Sequence, residues 1–138
     1  MKINNVVVIG SGTMGSGIAA QLCNANIPVT LLDLKTEISQ KAKERIEKSR
    51  PPLLIDKSKI DGIKVGNIND DFNIVSEADW IVEAVVERID IKHDIYDKIF
   101  KQRKKGSIVS SNTSSIPISV LSEKLTEDDK KDFCITHF

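Results

Sequence analysis

A glycine-rich turn between a buried strand and an amphipathic helix is the feature that most limits how this chain can fold. The run Val6–Ile9 is short, β-branched and wholly apolar, which predicts a strand buried on both faces. It leads into Gly10-Ser11-Gly12-Thr13-Met14-Gly15, which fits the pattern G-x-G-x-x-G. Apolar Met14, Ile18 and Leu22 then recur every four residues, as they do on one face of a helix running to about residue 25. A strand, this turn and a helix in that order predict the start of a dinucleotide-binding βαβ unit.

The rest of the chain alternates predicted strands with predicted helices. Strands are predicted at 29–32, 63–65, 80–86, 107–109 and 133–136, and helices at 36–49, 70–78, 89–103 and 116–125. This alternation predicts an α/β fold in one Rossmann-type domain over residues 1–138, with a doubly wound, mostly parallel sheet and helices on both faces. We expect Thr36 to cap the second helix. Glu83 interrupts the apolar strand at 80–86, and the pattern gives no reason for a carboxylate there.

Each glycine of the turn has a purpose if the ligand is a dinucleotide. Gly10 permits the tight turn, Gly12 lets the backbone approach a pyrophosphate, and Gly15 lets the helix pack closely on the strand. The helix N-terminus would face the phosphates, beside the intervening Ser11, Thr13 and Met14. The strand and helix on either side disfavour the alternative, a glycine-rich turn that binds nothing.

Asp33 closes the second predicted strand, where a ribose-binding acid belongs about 20 residues after the glycines. A carboxylate there accepts hydrogen bonds from ribose hydroxyls and repels a 2′-phosphate. Leu34 and Lys35 follow it, rather than an arginine, so NAD is favoured over NADP. Methyltransferases that use S-adenosylmethionine also place an acid here, and that class of enzyme stays open. Their substrate has no pyrophosphate, however, and does not require the full glycine motif.

Composition argues against several other classes of function. Twenty basic and twenty acidic residues give a formal net charge of zero, hence no general attraction to nucleic acid or an anionic membrane. The basic run of Lys101, Arg103, Lys104 and Lys105 fits a phosphate-binding patch, but a helix end, where cations complement the helix dipole, is the favoured interpretation. No apolar run approaches the roughly 18 residues of a membrane span, and strand-like sequence begins too early for a signal peptide, so a cytoplasmic protein is predicted. Cys23 and Cys134 lack metal-site spacing and are predicted to be buried free thiols; no metal is expected.

Three further segments form a specific combination with the glycine motif. They are Ile81–Glu87 followed by Lys92, the polar run Ser111-Asn112-Thr113-Ser114-Ser115, and Thr136-His137-Phe138. Together they resemble the 3-hydroxyacyl-CoA dehydrogenase family over essentially the whole chain. The resemblance implies the NAD-binding domain of an enzyme of fatty-acid β-oxidation, which transfers hydride from the C3 hydroxyl of a 3-hydroxyacyl-CoA to NAD.

The resemblance also implies roles for single residues. Glu87 and Lys92 would flank the nicotinamide half of NAD, while Asn112 and Ser114 would hold the cofactor and the substrate oxygens. His137 would be the general base, and a neutral imidazole suits that task near pH 7. From the residues alone, an exposed ion pair is the favoured interpretation of Glu87 and Lys92. The polar run fits a helix cap, and His137 fits an ordinary strand end.

Parts of the family pattern are absent from these residues. In the family, the catalytic histidine is followed by Phe-Asn-Pro and then by a glutamate that orients it, whereas this sequence ends at Phe138. The helical domain that dimerises and completes the acyl-CoA pocket is absent too, so we expect NAD binding without turnover. Residues 50–70 are shorter than in two-domain members, which favours a multidomain form. A non-catalytic NAD-sensing module remains an alternative. His93, near a helix start, is predicted to be solvated.

Overall fold

The computed structural model describes all residues 1–138 as six strands, five α-helices and two 3-10 helices. The strands are β1 Val6–Ile9, β2 Val29–Asp33, β3 Ile63–Asn67, β4 Trp80–Glu83, β5 Ile108–Ser111 and β6 Phe133–Ile135. The α-helices are α1 Thr13–Asn24, α2 Thr36–Lys48, α3 Ile89–Gln102, α4 Ile118–Leu121 and α5 Glu127–Lys130. The 3-10 helices are Lys57–Gly62 and Phe72–Glu77. None of the helices is both long and apolar enough to cross a membrane.

All six strands form one parallel sheet in the order β3-β2-β1-β4-β5-β6. The chain builds outward from β1 to β3 and then returns to the other side of β1 at β4, which confirms the doubly wound fold. In register, Ile9 lies opposite Leu32 on one side and Glu83 on the other. The crevice outside the carboxyl ends of β1 and β4 is therefore the point at which ligands bind in such sheets.

Two apolar layers cover the sheet, one on each face. Val6 and Val8 face the layer that contains Ile18 of α1, whereas Val7 and Ile9 face the layer of α3. Every residue of β1 is at most 2 % exposed. Burial on both faces explains why this strand is an unbroken apolar run in the sequence rather than an alternating one.

Three predicted helix features are wrong in detail. The predicted helix at 116–125 is only the single turn of α4. Leu121 is the one buried residue of that turn, so there is too little buried apolar surface to stabilise a longer helix. Residues 72–77 form a 3-10 helix within the range where an α-helix was expected. Thr36 does not cap α2, because Lys35 holds the cap position with no side-chain bond. The Thr36 hydroxyl instead accepts a hydrogen bond of 2.9 Å from Asn67 Nδ2.

Two glycines of the turn are required by main-chain packing. Gly10 has φ +104°, and a Cβ there would lie 2.4 Å from the carbonyl oxygen of Ala84. A Cβ on Gly15 would lie 1.8 Å from the carbonyl oxygen of Gly10. Helix α1 therefore packs on the turn backbone to backbone. Gly17, two residues after Gly15 in the same helix, has no atom within 4 Å of the position that a Cβ would take.

We predict that Gly15→Ala lowers the free energy of unfolding by about 3 kcal/mol, because α1 must move off the turn to admit the methyl group. Gly17→Ala is the matched control in the same helix. It should be neutral or raise stability by up to about 1 kcal/mol, since alanine is the better helix former and meets nothing. Urea unfolding of the two variants checks this. Equal stability of Gly15→Ala and the wild type would contradict it.

Candidate functional site

A cleft of about 400 Å³ opens at the carboxyl ends of β1, β2 and β4. Its polar groups belong to the glycine turn, Asp33 and Arg45. The remaining wall is apolar and comes from the segments after β2, β3 and β4 and from α3; it consists of Leu34, Ile38, Ile68, Ala84, Val85, Val86, Ile91 and Ile95. An apolar slot with a few polar groups at one place is typical of a site for a small organic ligand.

The start of α1 has the properties of a phosphate site. Gly12 is its N-cap residue, and no side chain caps the free N–H groups of the first turn. A Cβ on Gly12 would meet no atom within 4 Å, so the absence of a side chain leaves the backbone open to a ligand. No acidic residue lies in this first turn to compete for the N–H groups. These features fit the pyrophosphate of a dinucleotide.

Asp33 is held by the turn itself. Its Oδ2 accepts hydrogen bonds from Ser11 N at 2.8 Å and Ser11 Oγ at 2.5 Å, and its Oδ1 accepts one from Leu34 N at 2.7 Å. Ser11 is buried and Asp33 is half-buried at the edge of the cleft. The carboxylate is therefore fixed in position beside the helix start, where the sequence predicted the ribose-binding acid.

Arg45 is a cleft residue that the sequence reasoning missed. Leu34 and Lys35 follow Asp33, and the arginine of the cleft comes instead from the third turn of α2. Its Nη2 donates to the carbonyl oxygen of Ser11 at 3.0 Å. The signal in the sequence is weak, because only the packing of α2 against α1 brings this position to the glycine turn.

Glu83 is the buried centre of a polar network at the carboxyl edge of the sheet, which is the edge where the carboxyl ends of the strands lie. Its Oε2 accepts from Lys92 Nζ at 2.7 Å and from Val85 N at 2.9 Å. Its Oε1 accepts from Ser111 Oγ at 2.7 Å and from the hydroxyl of Tyr96. Burial and the nearby Glu83 carboxylate raise the pKa of Tyr96, so this side chain stays a proton donor. The strand ends at Glu83 rather than at Val86, because the Glu83 carboxylate binds the backbone N–H of the following turn.

Glu87 and Lys92 are not the exposed ion pair that residue chemistry alone allowed. The side chain of Lys92 is 1 % exposed, and its Nζ lies 3.0 Å from Glu87 Oε1 as well as 2.7 Å from Glu83. Burial tends to raise the pKa of Glu87. Hydrogen bonds from Thr113, Lys92 and Ser115 outweigh that tendency and lower its pKa to about 2. Glu87 therefore presents a fixed negative charge, held by side chains of α3 and the polar run.

The polar run does not cap a helix. Thr113 Oγ1 accepts from Ile116 N at 3.1 Å, which closes a turn before α4 begins. Asn112 lies directly beyond β5, where its N–H donates to the Glu83 carbonyl oxygen at 2.8 Å. Its side-chain oxygen Oδ1 is buried without a hydrogen-bond partner. Ser114 is exposed.

His137 is exposed, just beyond β6, and its imidazole forms no hydrogen bond with the rest of the chain. The backbone before it is tied to β5, since Thr136 N donates to Ser111 O at 3.0 Å and Thr136 Oγ1 bonds Ser110 Oγ at 3.0 Å. Phe138 after it stacks on Trp80 at 6.3 Å between ring centroids. The polar run and the histidine segment thus leave neighbouring strands at the same edge of the sheet.

Most of the basic run singled out in the sequence has structural partners. Three cations of the basic run are ion-paired: Lys101 to Asp97, Arg103 to Asp129 and Asp132, and Lys104 to Asp79. The hydrogen bond from Lys104 is the main cause that lowers the pKa of Asp79 to about 2.

His93 is half-buried rather than solvated, with Nε2 2.9 Å from Val120 O. Cys23 and Cys134 are free thiols, buried and half-buried, and burial raises the pKa of each. No group of three His, Cys, Asp or Glu side chains is arranged to hold a metal ion.

Comparisons with known proteins give a consistent result. Residues 5–138 match the family model described as "3-hydroxyacyl-CoA dehydrogenase, NAD binding domain". A "Probable 3-hydroxyacyl-CoA dehydrogenase" of Deinococcus radiodurans is 41% identical over 145 residues, covering 100% of this chain and 42% of the relative. A protein of the same description from Bacillus subtilis is 38% identical over 157 residues, covering 99% of this chain and 20% of the relative. The chain therefore spans between one fifth and about two fifths of these relatives.

A solved structure supports the same assignment of fold. A diketoreductase superimposes with a TM-score of 0.84 and 30% identity, over 100% of this chain and 50% of that one.

We predict that Glu83→Gln lowers the free energy of unfolding by about 3–5 kcal/mol, because it leaves the buried Lys92 ammonium without its fully buried partner. Tyr96→Phe removes a single donor to the same carboxylate and should cost about 1–2 kcal/mol. The double variant Glu83→Gln/Lys92→Met removes the stranded charge and should be more stable than Glu83→Gln alone. Urea unfolding measures all three. If the double variant is no more stable than the single one, the buried ion pair is not what holds this edge together.

Proposed function

The chain belongs to the 3-hydroxyacyl-CoA dehydrogenase family as its NAD-binding domain, and we propose that it holds NAD for hydride transfer from the C3 hydroxyl of a 3-hydroxyacyl-CoA. The observation that carries the proposal is the pairing of an uncapped, glycine-lined helix start with a fixed carboxylate at the end of the next strand. Family membership argues against the methyltransferase alternative.

The adenosine half of NAD fits the side of the cleft formed by the glycine turn. The N–H groups at the start of α1 bind the pyrophosphate, approaching it across Gly12. The Asp33 carboxylate accepts hydrogen bonds from the ribose hydroxyls, while Ser11 holds it in place. The neighbouring apolar wall, including Ile38 and Val86, suits the adenine ring. Ser11, Thr13 and Met14 complete the loop around the phosphates.

The nicotinamide half belongs at the mouth between β4 and β5. Glu87 presents an acceptor there, and the buried ammonium of Lys92, which Glu83 also binds, holds that carboxylate in place beside the nicotinamide. Because the pKa of Glu87 is about 2, its carboxylate stays ionised under working conditions. Asn112 has an unused buried acceptor on the same edge, available to an amide group or a hydroxyl of a ligand.

The reaction needs one hydride acceptor and one base. Bound NAD would supply the hydride acceptor for C3 of the substrate, and the imidazole of His137 would accept the hydroxyl proton. Ser114 and Asn112 hold the oxygen on C3 as it changes from hydroxyl to carbonyl. The 3-oxoacyl-CoA product, reduced cofactor and protonated histidine balance the step. For the whole protein we propose an acyl-CoA substrate and a dimeric or multidomain arrangement, because the chain spans at most about two fifths of the relatives described above.

We predict that the chain binds NAD at least about tenfold more tightly than NADP, which corresponds to about 1.4 kcal/mol. Asp33→Ala should weaken NAD binding and narrow that ratio, because it removes the acceptor of the ribose hydroxyls and the negative charge that repels a 2′-phosphate. Calorimetric titration with both dinucleotides measures the ratio. Glu47→Ala, which removes an exposed carboxylate on α2, is the control. Equal wild-type affinities for NAD and NADP would contradict the role of Asp33.

We predict that His137→Gln, in a protein that carries the whole enzyme, lowers kcat by about 10²–10⁴-fold and leaves NAD affinity unchanged, since the general base is remote from the glycine turn. His93→Gln is the control. In the 138-residue chain alone we expect no oxidation of 3-hydroxybutyryl-CoA, because nothing orients the imidazole of His137. NADH absorbance reports both experiments. Near-native kcat in His137→Gln would remove this residue from the reaction, and NAD binding in an inactive whole enzyme would favour a sensing role.

A further inference from the structure

Two opposite charges flank Ser11 in the cleft without forming a salt bridge with one another. Arg45 donates to the Ser11 carbonyl oxygen, while Asp33 accepts from the Ser11 N–H and hydroxyl. Neither residue takes part in any of the nine salt bridges of the structure. Both line the same cleft. A guanidinium and a carboxylate therefore both face the place where the adenosine ribose is proposed to lie.

The two charges have opposite effects on a phosphate at the 2′ position of that ribose. A carboxylate accepts hydrogen bonds from a ribose but repels a phosphate dianion. A guanidinium offers a rigid fork of N–H donors that matches phosphate geometry, and it stays charged at every relevant pH. Lys35 and Lys41 of α2 and its cap are exposed and do not line the cleft, so Arg45 is its one cationic lining residue.

We propose that Arg45 is a specificity-determining residue of the adenosine half of the cleft, and that it attracts a 2′-phosphate which Asp33 repels. The inference rests on the proposed function, because it requires a dinucleotide in this cleft. It has a direct consequence. Replacing Asp33 by serine leaves the Ser11 N–H and hydroxyl without their carboxylate acceptor, next to an unpaired guanidinium. Three groups that can donate to a phosphate then converge with no negative charge among them.

A purely structural role for Arg45 makes a different prediction. Its hydrogen bond to Ser11 O braces the glycine turn, and that turn serves NAD and NADP alike. Loss of this hydrogen bond would lower the affinities for both dinucleotides by the same factor. Loss of a phosphate-attracting charge would weaken NADP binding more than NAD binding, and salt would screen the difference. The ratio of the two affinities separates the two roles.

The test compares NAD and NADP binding by calorimetry in four variants of the chain. Arg45→Met should lower NADP affinity about fivefold more than NAD affinity. Asp33→Ser should raise NADP affinity by about tenfold or more, and Asp33→Ser/Arg45→Met should lose most of that gain. Lys41→Met, which removes an exposed cation from the same helix, should leave both affinities as they are. Titration with 2′,5′-ADP and 5′-AMP isolates the adenosine end and should show the same pattern, with the NADP gain shrinking as salt is raised.

Two outcomes overturn the inference while leaving the proposed function intact. One is an equal loss of NAD and NADP affinity in Arg45→Met, which would make the residue a brace only. The other is an NADP gain in Asp33→Ser that survives the addition of Arg45→Met. If the wild-type chain binds neither dinucleotide, the proposed function fails, and the inference fails with it.

Discussion

The buried carboxylate of Glu83 is the group on which the carboxyl edge of this domain depends. It is 0 % exposed at the end of β4, next to β1 in the middle of the sheet, where an ionised group is costly to bury without partners. Four hydrogen-bond donors offset that cost. Helix α3 supplies the ammonium of Lys92 and the hydroxyl of Tyr96, β5 supplies the hydroxyl of Ser111, and the turn after β4 supplies the N–H of Val85. Three separate segments are thus fixed relative to one another by a single side chain. The strand that carries it also forms one side of the cofactor cleft, so the positions of Glu87 and the polar run follow from the same contacts.

Much of the fold could be predicted from short stretches of the sequence. β1 and β2 are short apolar runs, the glycine turn has a geometric requirement, and α1 to α3 have clear apolar faces. Each of these signals lies within a window of about a dozen residues. The helix predicted at 116–125 is wrong, because α4 is a single turn whose apolar face buries only Leu121. Burial of that face is decided by the neighbouring elements rather than by the segment itself.

The candidate site divides in the same way. Gly12 and Asp33 could be found because the fold ties their positions to the ends of β1 and β2. The partners of Glu83 could not be predicted, since Ser111 is distant in sequence and Lys92 resembles a solvated lysine at the start of a helix. A signal was nevertheless present: Lys92 and Tyr96 are four residues apart, on the face of α3 that also carries Ile95 and Ile99. Arg45 could not be predicted from its position in the sequence, because only the packing of α2 against α1 brings it to the glycine turn.

The stacking of Phe138 on Trp80 gives the domain an intrinsic optical probe. Trp80 is the single tryptophan of the chain, and its indole N–H donates to Ser110 Oγ at 2.8 Å while its ring contacts the residue directly after His137. Its fluorescence is therefore sensitive to whether the histidine segment is seated against β4 and β5 or has come away from them. Emission from this one residue can be followed during titration with a ligand, without a label and independently of any turnover.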